Sequence, residues 1–222
     1  MAIIKIAGTN GSGKTTLARA FLALWDFTPV TADCVLTGQS LSGPATDQLL
    51  ITSKTKVLEY RAKIKPTQQG GAKFNKAVIL GNYEIVCGGM DAVAGKDLRL
   101  ALIEQYCGKA DKKTVVVYDG VLTGVTYGAA GELSERSAVP WIYAFLDTPY
   151  EECVRRVEAR RTAKGNTTPF DGMRSLYPKI KACESVARRA EAAGHKVVWV
   201  DHLIPAHEQV RGLLRQVEKL SK

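Results

Sequence analysis

Gly8-Thr9-Asn10-Gly11-Ser12-Gly13-Lys14-Thr15 sets glycines, a lysine and a hydroxyl at the spacing G-x-x-x-x-G-K-[ST]. Glycines at 8, 11 and 13 let the backbone curl so that successive N–H groups point inward around a phosphate. A helix opening near Lys14 adds its positive N-terminal end. Lys14 is expected to reach the β- and γ-phosphates, and the Thr15 hydroxyl to ligate Mg²⁺. Asn10, Gly11, Ser12, Gly13 and Thr16 complete the cradle. The spacing predicts a nucleoside triphosphate site, read here as one for ATP and Mg²⁺.

Three carboxylates stand where phosphoryl chemistry needs them. Asp119 ends the apolar run Thr114 to Tyr118, a position from which it would hold Mg²⁺ through water or orient an acceptor. An acceptor hydroxyl also needs a group to take its proton, and Asp33 and Asp91 are the candidates; either could instead be a turn residue. Arg155, Arg156, Arg160 and Arg161 crowd the end of one helix before a polar loop. Arg160 is the candidate to neutralise a transferring phosphoryl group, with Arg156 and Arg161 as nucleotide contacts. Arg155 and Arg156 also stand four residues after Glu151 and Glu152, so ordinary i,i+4 pairs compete for them.

A further basic cluster lies in the first half of the chain. Lys54, Lys56, Arg61, Lys63, Lys65, Lys73 and Lys76 face one acid there, Glu59. A one-sign ribbon is expected to contact a phosphate backbone, with Arg61, Lys63, Lys65 and Tyr83 as the candidate substrate residues. Tyr60, Phe74 and Tyr83 could stack on a base or form the ribbon's core.

The elements that must position these groups alternate. The runs 2–7, 29–36, 114–118, 141–146 and 195–200 read as strands, and 97–107, 150–161, 173–193 and 205–219 as helices. That alternation predicts one α/β domain, 1–222, with a doubly wound parallel sheet of about five strands and ligands at the strand carboxyl ends. Residues 54–86 alternate and turn as a β-hairpin, so 54–91 is read as a substrate-binding insert and 155–170 as a lid. Thr148-Pro149-Tyr150-Glu151 has the form of a capping box opening the lid helix. Asp33, at the end of the second strand, is expected beside the phosphate loop.

The 222 residues carry a formal net charge of +9, which suits a polyanionic partner. Five cysteines without a C-x-x-C pair read as reduced thiols, and three scattered histidines make a zinc site unexpected. No apolar run reaches the ~18 residues of a membrane span, and no leader pattern is present, so a cytoplasmic protein is expected, in the host cytoplasm if phage-encoded.

Gly8 to Thr15, Tyr118-Asp119-Gly120 and Leu146-Asp147-Thr148-Pro149 before the arginines resemble the P-loop nucleotide-kinase superfamily. No N-K-x-D motif of GTPases is present, and Leu41-Ser42-Gly43-Pro44 is not the transporter-ATPase signature. Ile79-Leu80-Gly81-Asn82-Tyr83-Glu84 with Cys87-Gly88-Gly89-Met90-Asp91 is similar to phage 5-hydroxymethyluridine DNA kinases of thymidine hypermodification. That resemblance implies ATP-dependent phosphorylation of the hydroxymethyl group of a modified pyrimidine in DNA. Polynucleotide 5′-kinases place their base similarly to Asp33, which favours it over Asp91. A kinase of free nucleosides or nucleotides and a P-loop ATPase that remodels DNA are the competing readings.

Overall fold

The computed structural model describes residues 1–31, 57–68, 70, 73–85, 88–93, 95–108, 113–120 and 127–220. In chain order the described elements are β1 (Ala2–Ala7), α1 (Lys14–Leu22), β2 (Thr28–Thr31), β3 (Val57–Lys63) and β4 (Lys76–Leu80). A 3₁₀ turn at Met90–Ala92 and α2 (Lys96–Cys107) follow, then β5 (Thr114–Asp119), α3 (Gly128–Arg136) and β6 (Trp141–Asp147). The chain continues through α4 (Tyr150–Ala163), α5 (Gly172–Ser175), α6 (Tyr177–Ala192), β7 (Lys196–Asp201) and α7 (Ala206–Leu220).

Among the described residues one seven-stranded sheet runs in the order β2-β3-β4-β5-β1-β6-β7. The five strands from β4 to β7 are parallel, and β2 and β3 join antiparallel at one edge. β1 lies in the middle and is buried along its whole length, as expected for an apolar run covered on both faces. Leu17 and Phe21 of α1 and Leu213, Leu214 and Val217 of α7 pack on one face against Ile4, Ile6 and Val117. Leu98 and Leu102 of α2, Leu133 of α3 and Val186 and Ala190 of α6 cover the other, against Ile3, Tyr118, Tyr143 and Phe145. A third, small cluster of Cys153, Val157 and Leu176, with Phe170 against it, holds α4 to the segment before α6.

Two expectations change here. About five strands were expected, and seven are present among the described residues; the parallel part alone has five, but with a different membership. Thr28–Thr31 is the outer antiparallel edge, well away from β1, rather than a core strand beside the phosphate loop. Pro29 suits an edge, since it has no N–H to give a ladder. Asp33 itself lies outside the described residues, as do Lys54 and Lys56.

The described strands of the 54–91 segment join the main sheet. β3 and β4 do pair as a hairpin, with Tyr60, Ala62 and Ile64 buried and Arg61, Lys63 and Lys65 exposed. Yet β4 pairs in parallel with β5 as a full member of the main sheet. Its Ala77-Val78-Ile79-Leu80 run is buried, which is why it takes a core place. Lys63 pairs with Lys76, and Lys76 with Thr114, the first residue of β5. The hairpin tip therefore lies at the amino ends of the parallel strands, about 16 Å of β5 away from Asp119 at the carboxyl end. Among the described residues no helix is long and apolar enough to cross a membrane.

Candidate active site

The site is built at the carboxyl ends of β1 and β5. β1 delivers the loop 8–15, and α1 begins at Lys14, so its N-terminal amides face the same space as the loop. Gly11 has φ +82° and rests against the backbone of Cys153, whose carbonyl oxygen a Cβ would approach to 2.5 Å. Any side chain there would displace either the loop or α4. The Lys14 side chain is buried, with Nζ donating to the Thr9 carbonyl at 2.8 Å. Burial lowers its pKa, while Asp119 and Asp91 oppose that shift by their charge.

β5 brings Asp119 to the loop. The Thr15 hydroxyl donates to its Oδ2 at 3.3 Å, and the Tyr83 phenol donates to Oδ1 at 2.6 Å. Burial pushes the Asp119 carboxyl up to about 6, with the Tyr83 hydrogen bond and Lys14 pulling it down and Asp91 pushing it up. A hydroxyl and a carboxylate side by side form a hard oxygen donor set, which fits Mg²⁺ bound jointly with phosphate oxygens. Among the described residues no cluster of three His, Cys, Asp or Glu exists that could hold a metal without such help.

The loop, Asp119 and the lid enclose a cleft of about 750 Å³. Asn10, Gly11, Ser12, Gly13, Lys14, Thr15 and Thr16 line its floor; Asp91 and Asp119 one wall; Arg156 and Arg160 the lid side. His202, Leu203 and Ile204 after β7 form the remaining wall, and Leu203 and Ile204 expose apolar surface to it. Asp91 thus shares the cleft with Lys14 and Asp119, as a candidate base must.

The lid residues divide. Arg155 and Arg156 both pair with Glu152, at 2.7 and 2.5 Å, and these pairs hold the Glu152 carboxyl down at about 2. Arg156 keeps a second contact, Nη1 to the Gly11 carbonyl at 3.3 Å, so the ion pair orients it over the loop rather than consuming it. Arg160 lines the cleft. Arg161 does not: it donates to Asn166 Oδ1 at 3.1 Å and Thr168 O at 3.0 Å and lies over the Phe170 ring. In this conformation its hydrogen bonds lie within the lid loop, whereas the sequence placed it as a nucleotide contact. The capping box is also absent. α4 is capped by Pro149 without a side-chain bond, and the Thr148 hydroxyl donates instead to the Ser12 carbonyl at 2.9 Å.

Of the candidate substrate residues, Arg61, Lys63 and Lys65 do not line the cleft, and Tyr83 reaches it only through Asp119. Arg61 is salt-bridged to Glu59, a carboxylate with no exposed surface that also accepts from the Tyr106 hydroxyl at 2.9 Å. Period two puts residues 59 and 61 on one face, and α2 lays Tyr106 over it. Lys63 and Lys65 are exposed but belong to the far tip. Tyr83 is 5% exposed and committed to Asp119, so it is not free to stack on a base.

Two contributions were not expected from the sequence. Tyr83 donates to the Asp119 carboxylate, and Arg19 ties the loop after β4 to α1 by donating to the carbonyls of Tyr83 at 3.2 Å and Ile85 at 2.8 Å. Arg19 stands one helical turn after Thr15, so its spacing pointed to the cleft face.

No family model matches the chain. A 5-hmdU DNA kinase of Pseudomonas phage PaMx11 is 27% identical over 90% of this chain and 90% of its own length. A 5-hmdU DNA kinase of Pseudomonas phage M6 is 28% identical over 74% of each chain. Among solved structures, a gluconokinase from Sinorhizobium meliloti 1021 aligns over 99% of this chain and 93% of its own, at 17% identity and a TM-score of 0.45. Over 90% of its length, therefore, the chain is similar to a phage 5-hmdU DNA kinase.

Proposed function

We propose that this protein transfers the γ-phosphoryl group of ATP to the hydroxymethyl group of 5-hydroxymethyluracil in DNA. The observation that carries the reading is the likeness to the PaMx11 5-hmdU DNA kinase across 90% of both chains. The cleft supplies the parts that the reaction needs.

In this mechanism the loop amides and Lys14 hold the β- and γ-phosphates, and the apolar wall at Leu203 and Ile204 takes the base of ATP. Thr15 and Asp119 would hold Mg²⁺, which when bound neutralises phosphate charge. Tyr83 fixes the rotamer of Asp119 and stays protonated, since burial raises its pKa well above the ordinary value. Asp91 accepts the proton of the acceptor hydroxyl as its oxygen bonds to phosphorus and the β–γ bridging oxygen leaves with ADP. Arg160 stabilises the charge on the phosphoryl group in transit, as arginines do in this chemistry.

The test is γ-labelled ATP incubated with plain DNA, DNA containing 5-hydroxymethyluracil, the free nucleoside and its monophosphate. Label is expected only in the modified DNA. Label in the nucleoside or monophosphate but not in DNA overturns the polymer reading in favour of a free-nucleotide kinase, and ATP hydrolysis without any labelled acceptor favours a DNA-remodelling ATPase. Asp91→Asn is expected to lose turnover by at least ~10²-fold with ATP affinity retained. Should Asp33→Asn show that pattern instead, the base is the other carboxylate.

A further inference from the structure

If the acceptor is a base in DNA, as proposed above, the protein needs a surface that holds the polymer while one base enters the cleft; the requirement rests on that reading. The hairpin does not supply such a surface, because its tip points away from the cleft. The lid does border it.

From Arg160 to Ile180 the chain carries Arg160, Arg161, Lys164, Arg174 and Lys179 against one acid, Asp171. The Asp171 carboxylate is already used, accepting from the Arg174 backbone N–H at 2.9 Å as the cap of α5. Arg160 faces the cleft and Arg161 is folded into the loop. Lys164 and Arg174 are exposed and Lys179 half-buried, and their side-chain cations have no ion pair or hydrogen bond among the described residues. Set among them are two large apolar side chains turned to solvent, Met173 at 59% and Tyr177 at 44% exposure. Their neighbours Gly172 and Leu176 are the buried ones: Gly172 abuts Tyr150 and Val154, and Leu176 packs on Cys153 and Val157. Met173 and Tyr177 thus sit one turn apart on the outer side of a packed unit, and folding alone does not require them to be apolar.

We propose that this outer side of the lid, residues 164–179, is the duplex-DNA contact surface. Lys164, Arg174 and Lys179 take backbone phosphates, and Met173 and Tyr177 fill the gap that the extruded base leaves in the stack. Apolar side chains inserted at a base step are a recurrent way to hold an unstacked duplex, and extrusion is what a base-directed enzyme needs. The occupant is a polyanion with an apolar gap, and the surface offers that complement.

The experiment measures duplex binding across a salt series, without ATP, for wild type, Lys164→Gln/Arg174→Gln/Lys179→Gln and Lys63→Gln/Lys65→Gln/Lys73→Gln. Each phosphate contact adds about 0.9 to the slope of log affinity against log salt. The lid triple variant is expected to lose up to about three units of slope, each lid single variant about one, and the hairpin triple variant none. Met173→Ala is expected to bind a matched duplex about tenfold less tightly, and a duplex mismatched at the target about as well as wild type, because the mismatch already lowers the cost of extrusion. Thermal melting confirms that each variant is folded. An unchanged slope in the lid variants, or a loss confined to the hairpin variant, overturns the proposal. These binding results are independent of phosphoryl transfer: wild type that labels no modified DNA refutes the reaction, whereas equal slopes refute only the surface.

Discussion

Two dense groups of positive charge among the described residues sit in opposite settings. In the hairpin, Arg61 is drawn onto the buried Glu59, and the lysines beyond it crown the amino ends of the parallel strands. In the lid, Arg156 and Arg160 face the cleft, while Lys164 and Arg174 stand in solvent and Lys179 is half-buried near Met173 and Tyr177. Charge density alone does not mark a binding surface. A cation beside a buried carboxylate is part of the fold, and one at the carboxyl ends of parallel strands is placed for a ligand.

The largest effect expected from this contrast is on the lid side. Arg160→Gln should lower kcat by about 10³-fold with melting temperature unchanged, the cost of removing a transition-state arginine. Steady-state kinetics and a thermal melt separate the two, and a loss of stability instead of rate would erase the contrast. Arg61→Met should do the reverse, costing about 3 kcal/mol of stability because it strands the buried Glu59 charge, with kcat per folded molecule retained. Chemical denaturation measures the first and an active-site titration the second; a kcat loss in folded protein would return Arg61 to the substrate.

Tyr83→Phe sharpens the boundary, since Tyr83 follows β4 and is where the hairpin segment does reach the site. Removing its hydrogen bond to Asp119 should weaken Mn²⁺ binding in the presence of ADP by about tenfold, read by paramagnetic resonance, with little change in stability. Unchanged metal affinity would make Tyr83 a packing residue. The smallest effect is that of Lys63→Gln/Lys65→Gln/Lys73→Gln on stability, expected within about 0.5 kcal/mol by denaturant unfolding, as for exposed surface residues.

Much of the site was legible in the chain because it is local. The phosphate loop, with the strand before it and helix after it, occupies consecutive residues, and Asp119 ends an apolar run that could only be a core strand. The paired Glu152 with Arg155 and Arg156 follows from helical spacing. What was not legible depends on long-range pairing. Nothing in Thr28–Thr31 or Lys76–Leu80 says which of them lies beside β5, and that choice decides which end of the sheet the hairpin lysines occupy. Thr148 had the residue type and position of a helix cap, but a carbonyl 136 residues earlier in the chain takes its hydroxyl. Glu59 was legible only as the one acid among the basic residues, because its burial is made by α2, an element some forty residues on.

The close approach of Gly11 to Cys153 has a mechanical consequence. Together with Thr148 to Ser12 and Arg156 to Gly11, it fastens the first turn of α4 to the phosphate loop at three points. The root of the lid is therefore geared to the floor of the cleft. Any shift of the loop backbone carries the start of α4, and Arg156 with it.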